Sequence, residues 1–258
     1  MRLREYSEKI PKPMVPIGYR PVLWHVMKYY AHFGHTDFIL CLGHQADVIK
    51  DYFVNYNEYV SNDFVLNKGS NVKLMNSDID DWNITFADTG VNSNIGQRLL
   101  AARKYVTGEK MFLANYSDGL TDLPLDDMVA KFQASDKIAS FMAARPTRSF
   151  HMATIGADNV VTDMSALSER ENAWINGGYF VFRSEIFNHI SPGEELVEEP
   201  FRRLIADRKL LAYPHEGVFL TMDTFKEKQT LDEMYAKGLT PWQVWKKDNP
   251  GNYTSEAC

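Results

Sequence analysis

Short apolar runs alternate along this chain with stretches whose apolar residues recur at helical spacing. Residues 37–42 (Asp37 to Leu42), 83–87, 111–115 and 138–144 read as strands, because β-branched and aromatic residues run without a helical period and are bounded by turn residues. Residues 47–59, 95–106 and 125–134 read as helices between them, and Leu23, Val26, Met27 and Tyr30 mark an earlier amphipathic helix with Pro21 suited to its first turn. Two short strand candidates lie near Ala153 and Val160, and a further strand spans 178–182. The chain then reads as helix over 197–207, extended over 210–213 and 218–220, and helix over 225–237. Strands that alternate with helices in this way predict βαβ units and a doubly wound, mostly parallel, Rossmann-like α/β sheet with small additional β elements. Residues 57–81 are polar and poorly periodic, which predicts a surface excursion suited to assembly or to covering a site. No internal repeat or low-complexity linker divides the chain, so residues 1–258 read as one domain.

Composition narrows the picture. At 258 residues and 45% hydrophobic content the chain can bury a core, and a net charge of −6 argues against non-specific nucleic-acid binding. An anionic ligand would therefore be met by local cations, and Arg2, Arg4, Lys9 and Lys12 supply a basic opening segment punctuated by Pro11 and Pro13. The same segment reads equally as a solvated stretch before an ordinary helix. Cys41 and Cys258 have no metal-ligand spacing and imply no disulfide framework, as expected of a reducing cytoplasm. Neither a signal peptide nor a run of about twenty apolar residues is present, so the expectation is a cytoplasmic protein without a membrane partner.

Candidate chemistry sits at the carboxyl ends of the expected strands, where open α/β sheets bind ligands. Asp118 follows the strand at 111–115 in the run Tyr116-Ser117-Asp118-Gly119, a place that suits either a metal-binding carboxylate or a plain Asp-Gly turn. Asp223 follows the extended run 218–220 and reads as a second magnesium ligand or as the N-cap of the next helix. Asp88-Thr89-Gly90 leads through Gly96 and Gln97 to Arg98, either as a glycine-containing loop before a helix or as a nucleotide loop in which Arg98 meets a phosphate or a base edge. Asn176, before Gly177-Gly178, offers a donor and an acceptor to a sugar hydroxyl, while the paired glycines also suit a bulge. Among His25, His32, His35 and His44, Gly34 interrupts the spacing and argues against a metal site. Neither a G-x-G-x-x-G fingerprint, nor a P-loop, nor a G-x-S-x-G elbow occurs.

Taken in order, Arg2-Leu3, Lys12-Pro13-Met14, residues 21–25, Asp88-Thr89-Gly90, residues 96–99, residues 116–119, residues 175–178 and Met222-Asp223-Thr224 resemble the sugar-phosphate nucleotidylyltransferases, with the glucose-1-phosphate cytidylyltransferase branch nearest. The resemblance runs to Pro241-Trp242 and Trp245. It implies transfer of a nucleotidyl group from a nucleoside triphosphate, CTP foremost, to a sugar 1-phosphate, glucose 1-phosphate foremost, with release of pyrophosphate. By the same resemblance Arg2 and Lys12 neutralise the triphosphate, Asp118 and Asp223 hold Mg2+, Thr89, Gly90 and Arg98 lie at the nucleotide, and Asn176 contacts the sugar. Relatives of this kind commonly assemble, so a homo-oligomer is expected. The chain departs from the family pattern in three places. Met1 stands where the family's glycine-rich loop ends, residues 168–172 lack the Glu-Lys-Pro run, and Arg148-Ser149-Phe150-His151 replaces Arg-Phe-Gly. The first departure predicts that Met1 is an internal methionine of a longer protein, since the strand it would follow is central to this fold. A second class of function, a non-catalytic sugar-nucleotide-binding protein, stays open on these departures.

Overall fold

The structure is a computed structural model that describes residues 10–146, 151–155, 157, 159–166 and 173–246. Arg2 and the departures at 148–150 and 168–172 lie outside the described residues. In chain order the strands are β1 (Pro16–Ile17), β2 (Arg20–Pro21), β3 (Asp37–Leu42), β4 (Phe64–Asn67), β5 (Asn71–Leu74), β6 (Asn83–Asp88), β7 (Met111–Asn115), β8 (Gly119–Thr121), β9 (Ala139–Ala144), β10 (His151–Ile155), β11 (Val161–Ala166), β12 (Ile175–Arg183), β13 (Leu210–His215) and β14 (Phe219–Thr221). The helices are α1 (Val22–His32), α2 (Ala46–Val54), α3 (Ile95–Ala102), α4 (Leu125–Gln133), α5 (Glu199–Ala206) and α6 (Phe225–Ala236). The helix expected over 47–59 ends at Val54, and a separate 3-10 turn, Glu58–Val60, begins where the Asn57 side chain accepts from the Tyr59 amide. The helix expected over 95–106 likewise gives way to a 3-10 turn at Arg103–Tyr105.

The architecture is α/β, and its main sheet is mixed. The largest sheet has the order β13-β9-β12-β7, with β13 parallel to β9 and β12 antiparallel to both its neighbours. A second pair, β3 and β6, is parallel with Leu42 opposite Asp88. The mostly parallel direction expected of this sheet holds for β13, β9 and β7, which run the same way, while β12 alone runs against them for a topological reason. Parallel neighbours require a crossover, whereas between β9 and β12 the described chain is a β10–β11 hairpin that lets β12 return in the opposite direction.

Alternation along β12 builds the layers. Tyr179 and Val181 enter one core with α1, α4 and α6, while Phe180 and Phe182 enter another with Phe187, Phe201 and Leu204. A third core joins Trp24 and Met27 of α1 to Leu42, Ile49, Phe53 and Trp82. Helix α1 thus serves two cores, which matches its nearly continuous burial from Val22 to Met27. On the opposite side α3 packs Leu99 and Leu100 beside Phe112 and Ala114 of β7 and also touches β3. Among the described residues β3 and β7 each end their own ladder, and the residues of β7 are all only half-buried. Among the described residues no helix is long and apolar enough to cross a membrane.

Candidate active site

The β8–β14 ladder creates the site. Gly119 stands opposite Thr221, so Asp118, one residue before β8, and Asp223, two residues after β14, emerge side by side although 105 positions separate them. Ser117 adopts φ 66, and its amide donates to Asn115 Oδ1 at 2.6 Å, an Asx turn that swings the loop outward after β7. Thr224 caps α6, accepting from the Glu227 amide at 3.2 Å in a capping box. The N-cap alternative for Asp223 therefore falls to its neighbour, and the Asp223 carboxylate turns elsewhere.

Both carboxylates turn to Lys12. Its Nζ donates to Asp118 Oδ2 at 2.6 Å and to Asp223 Oδ1 at 2.5 Å. Lys12 opens a 3-10 turn fixed by Pro11 and Pro13, with the Met14 amide donating to the Pro11 carbonyl at 2.7 Å. The β1–β2 hairpin that follows packs against α6, where Gly18, at φ +62, lies so close to Tyr235 that a Cβ would stand 2.1 Å from its ring. The same helix that starts after Asp223 thus presses the Lys12 segment into place. Burial lowers the Lys12 pKa, but Asp118 and Asp223 outweigh that effect and hold it above its ordinary value. The ammonium is therefore the charged form across the neutral range.

A second cluster forms at the carboxyl ends of β3 and β6. Arg98 Nη1 donates to Thr89 Oγ1 at 2.8 Å, and Thr89 Oγ1 donates in turn to the Leu42 carbonyl at 2.9 Å. Asn94 caps α3 in a capping box with Gln97, which sets Arg98 in the first turn. A Cβ on Gly43 would meet the Arg98 guanidinium at 2.7 Å, so the glycine leaves that path open. Gly90 takes φ +93, and its amide donates to Asp88 Oδ1 at 3.0 Å. Thr89, with its hydroxyl engaged at both ends, orients Arg98; the guanidinium is the group of this cluster suited to a phosphate.

Asn176 belongs to the Asp118 loop. Its Nδ2 donates to Tyr116 Oη at 3.2 Å and its Oδ1 accepts from the Gly178 amide at 2.9 Å. The β12–β9 register shifts between Asn176 and Phe180, so the glycine pair does mark a bulge, one that also aims Asn176. Gly178 has φ +73, and a Cβ there would meet Tyr116 Cδ2 at 2.6 Å. Burial pushes the Tyr116 phenol up to about 12, against the lowering effect of Asn176. The sites group as Lys12, Asp118 and Asp223 in one cluster, Thr89, Gly90 and Arg98 in another, and Asn176 tied to the first through Tyr116.

Sequence reasoning passed over Tyr116 as an anchor and the Arg145 group altogether. Arg145, just past β9, stacks 3.9 Å from the Trp174 ring centroid and reaches Glu216 at 3.4 Å. Arg145 stands past the carboxyl end of β9 much as Asp118 stands past that of β7. His25 is buried with Nε2 at 3.0 Å from the Ile17 carbonyl, and among the described residues no three His, Cys, Asp or Glu side chains group so as to hold a metal.

Solved structures of low sequence identity share this fold. The fold matches apo UDP-glucose pyrophosphorylase at a TM-score of 0.66 and 17% identity, covering 90% of this chain and 93% of that one. It matches HddC from Yersinia pseudotuberculosis at 0.63 and 18%, covering 91% and 94%. The nucleotidyl transferase family model matches residues 1–217, and the chain belongs to that family. It is 35% identical over 246 residues to the glucose-1-phosphate cytidylyltransferase of Salmonella typhimurium (strain LT2), covering 95% of each chain. It is 32% identical over 246 residues to a probable glucose-1-phosphate cytidylyltransferase of Bacillus subtilis (strain 168), again covering 95% of each. The protein is a nucleotidyltransferase.

Proposed function

We propose that this nucleotidyltransferase joins CTP and glucose 1-phosphate, giving CDP-glucose and pyrophosphate. A phosphate oxygen of the sugar 1-phosphate, already ionised at neutral pH, forms a bond to the α-phosphorus of CTP while the bond from that phosphorus to the bridging oxygen breaks. Pyrophosphate leaves with the electron pair, so no covalent enzyme intermediate and no general base are needed. Rate enhancement comes from alignment and charge neutralisation.

The observation that carries this reading is the Lys12 ammonium held between Asp118 and Asp223 at the carboxyl ends of strands. Lys12 directs two of its three donors to carboxylates, and the remaining donor suits a phosphate oxygen. Arg98, oriented by Thr89 and passing beside Gly43, suits the nucleotide phosphates. Asn176 suits a sugar hydroxyl, because it is tethered to the Asp118 loop by Tyr116.

The carboxylate pair also fits magnesium. Asp118 and Asp223 present oxygen donors only, and Mg2+ is commonly held by one or two carboxylates with phosphates and waters completing its shell. When bound, the ion would offset phosphate charge; Asp118 and Asp223 would hold it, and Lys12 would turn from them to the phosphates.

The test is pyrophosphate release measured for each nucleoside triphosphate against a panel of sugar 1-phosphates. CTP with glucose 1-phosphate is expected to give the highest kcat/KM. A higher value for another pair overturns the substrate assignment. Binding of CDP-glucose by calorimetry without turnover of any pair would leave a sugar-nucleotide-binding protein instead.

A further inference from the structure

Three strand ends carry a group that the proposed reaction leaves unused. In the antiparallel β12–β9 pair Ile175 lies opposite Ala144 and Asn176 opposite Ala143, so Trp174 comes beside Arg145 one position further along. In the parallel β13–β9 pair His215 lies opposite Ala144, so Glu216 comes beside Arg145 from the other side. Arg145 answers both neighbours. Its guanidinium stacks 3.9 Å from the Trp174 ring centroid, and its Nη2 donates to Glu216 Oε1 at 3.4 Å.

The pleat fixes where this group stands. Side chains two positions apart on a strand share a face, so Trp174 and Arg145 form a rung about 7 Å beyond the rung of Asn176 and Ala143. On the inner side of Asn176, a Cβ on Gly119 would stand 3.7 Å from the Gly177 carbonyl, so the loop that presents Asp118 adjoins the same strand end. The order along this face is therefore Asp118, then Asn176, then Trp174 with Arg145. As a latch between strand ends the ion pair is weak, since the Glu216 side chain is 74% exposed. As a binding surface the group is well equipped. Trp174 offers an aromatic face to the C–H side of a pyranose, the Glu216 carboxylate accepts from a hydroxyl, and Arg145 donates to one.

We infer that Trp174, Arg145 and Glu216 determine sugar specificity by reading the C4 hydroxyl, an inference that rests on the sugar 1-phosphate reading above. For reaction the phosphate on C1 lies toward Lys12 and Asp118, and Asn176 stands between these and the Arg145 rung. C4 lies across the ring from C1, so its hydroxyl is carried away from Lys12 and toward that rung. Arg145, held flat against Trp174, engages Glu216 Oε1 and leaves Oε2 to accept from the hydroxyl. A site that hydrogen-bonds a hydroxyl rejects the analogue that lacks it, whereas a wall that merely encloses the sugar does not.

The test compares glucose 1-phosphate with 4-deoxyglucose 1-phosphate at saturating CTP, on the full chain and on its Glu216→Ala and Arg145→Met variants. The wild type is expected to prefer glucose 1-phosphate by about tenfold or more in kcat/KM, mostly through KM. Glu216→Ala should raise KM for glucose 1-phosphate and leave KM for the deoxy sugar, KM for CTP and the melting temperature where they were, so that the preference falls to about twofold or less. Arg145→Met keeps packing on Trp174 but releases Glu216, and it should erode the preference in the same direction. A wild type indifferent to the 4-hydroxyl, or a preference that survives both substitutions, overturns the inference and leaves the substrate assignment standing. Lower melting temperatures with unchanged KM for both sugars identify a latch between strands and overturn it as well. Absence of turnover with every sugar 1-phosphate would overturn the substrate assignment, and this inference with it.

Discussion

Lys12 and the two aspartates behave as one charged unit, and each member can be removed with a different expected result. Asp118→Asn and Asp223→Asn keep the side-chain volume while deleting charge, so each is expected to lower kcat by about 10²–10³-fold with little change in melting temperature. Near-normal magnesium-dependent turnover in either variant would contradict the proposed roles. The raised Lys12 pKa has a defined pH signature. A lysine whose folded pKa exceeds its unfolded value contributes stability fully below about pH 10 and loses it as pH rises through the folded value, so the deficit of Lys12→Met should shrink in the alkaline range. Unfolding curves at pH 8 and pH 11 would check this. Of this cluster, the strand-end positions of both aspartates are legible in the sequence, because a carboxylate directly after an apolar run is a local pattern. The contact itself is not, since Lys12 and Asp223 lie 211 residues apart and meet only once the β8–β14 register sets the aspartates side by side and the β1–β2 hairpin packs against α6.

Elements carry the next level of constraint. Helix α1 buries His25 among Trp24, Tyr235, Trp242 and Trp245, and burial lowers its pKa to about 4. Here the unfolded chain takes up the proton first, so stability falls as pH drops from about 6.5 to about 4 and levels off below; the full difference is about 3 kcal/mol. His25→Gln should flatten that slope in thermal melts between pH 7 and pH 4. At the β12 bulge, Gly178→Ala forces a Cβ toward Tyr116 at φ +73, and a loss of about 1–3 kcal/mol in denaturant unfolding is expected, with kcat reduced because Asn176 is displaced. The periodic runs locate the helices and strands well, since α4, β3 and β7 are set by local patterning. Strand direction is another matter. Phe180 and Phe182 read as a strand in either orientation, and only the hairpin between β9 and β12 decides that β12 runs antiparallel.

Across the whole molecule, residues 57–81 are tied to the loop that presents Lys12. Arg20, on β2, donates to the Asn57 carbonyl and Ser61 Oγ, each at 2.8 Å, pairs with Asp78 at 3.3 Å, and lies 4.1 Å from the Tyr56 ring centroid. Asp78 also accepts from Tyr56 Oη at 2.9 Å, and both ionic side chains are almost fully buried. Asp78→Ala would strand the Arg20 charge in that environment, with an expected cost of about 3–5 kcal/mol and protease cleavage falling first within 57–81. Sequence patterning shows that stretch only as polar; its anchor depends on one arginine beyond a tight hairpin. A different consequence follows from β3 and β7, the end strands covered by α1 on one side and α3 on the other. In deuterated solvent, amides that face the ladder partners β6 and β12 should stay protected, while the alternate amides on each strand, directed to the other edge, should exchange early. A sawtooth of exchange rates, residue by residue, would therefore run through two strands that lie between packed helices.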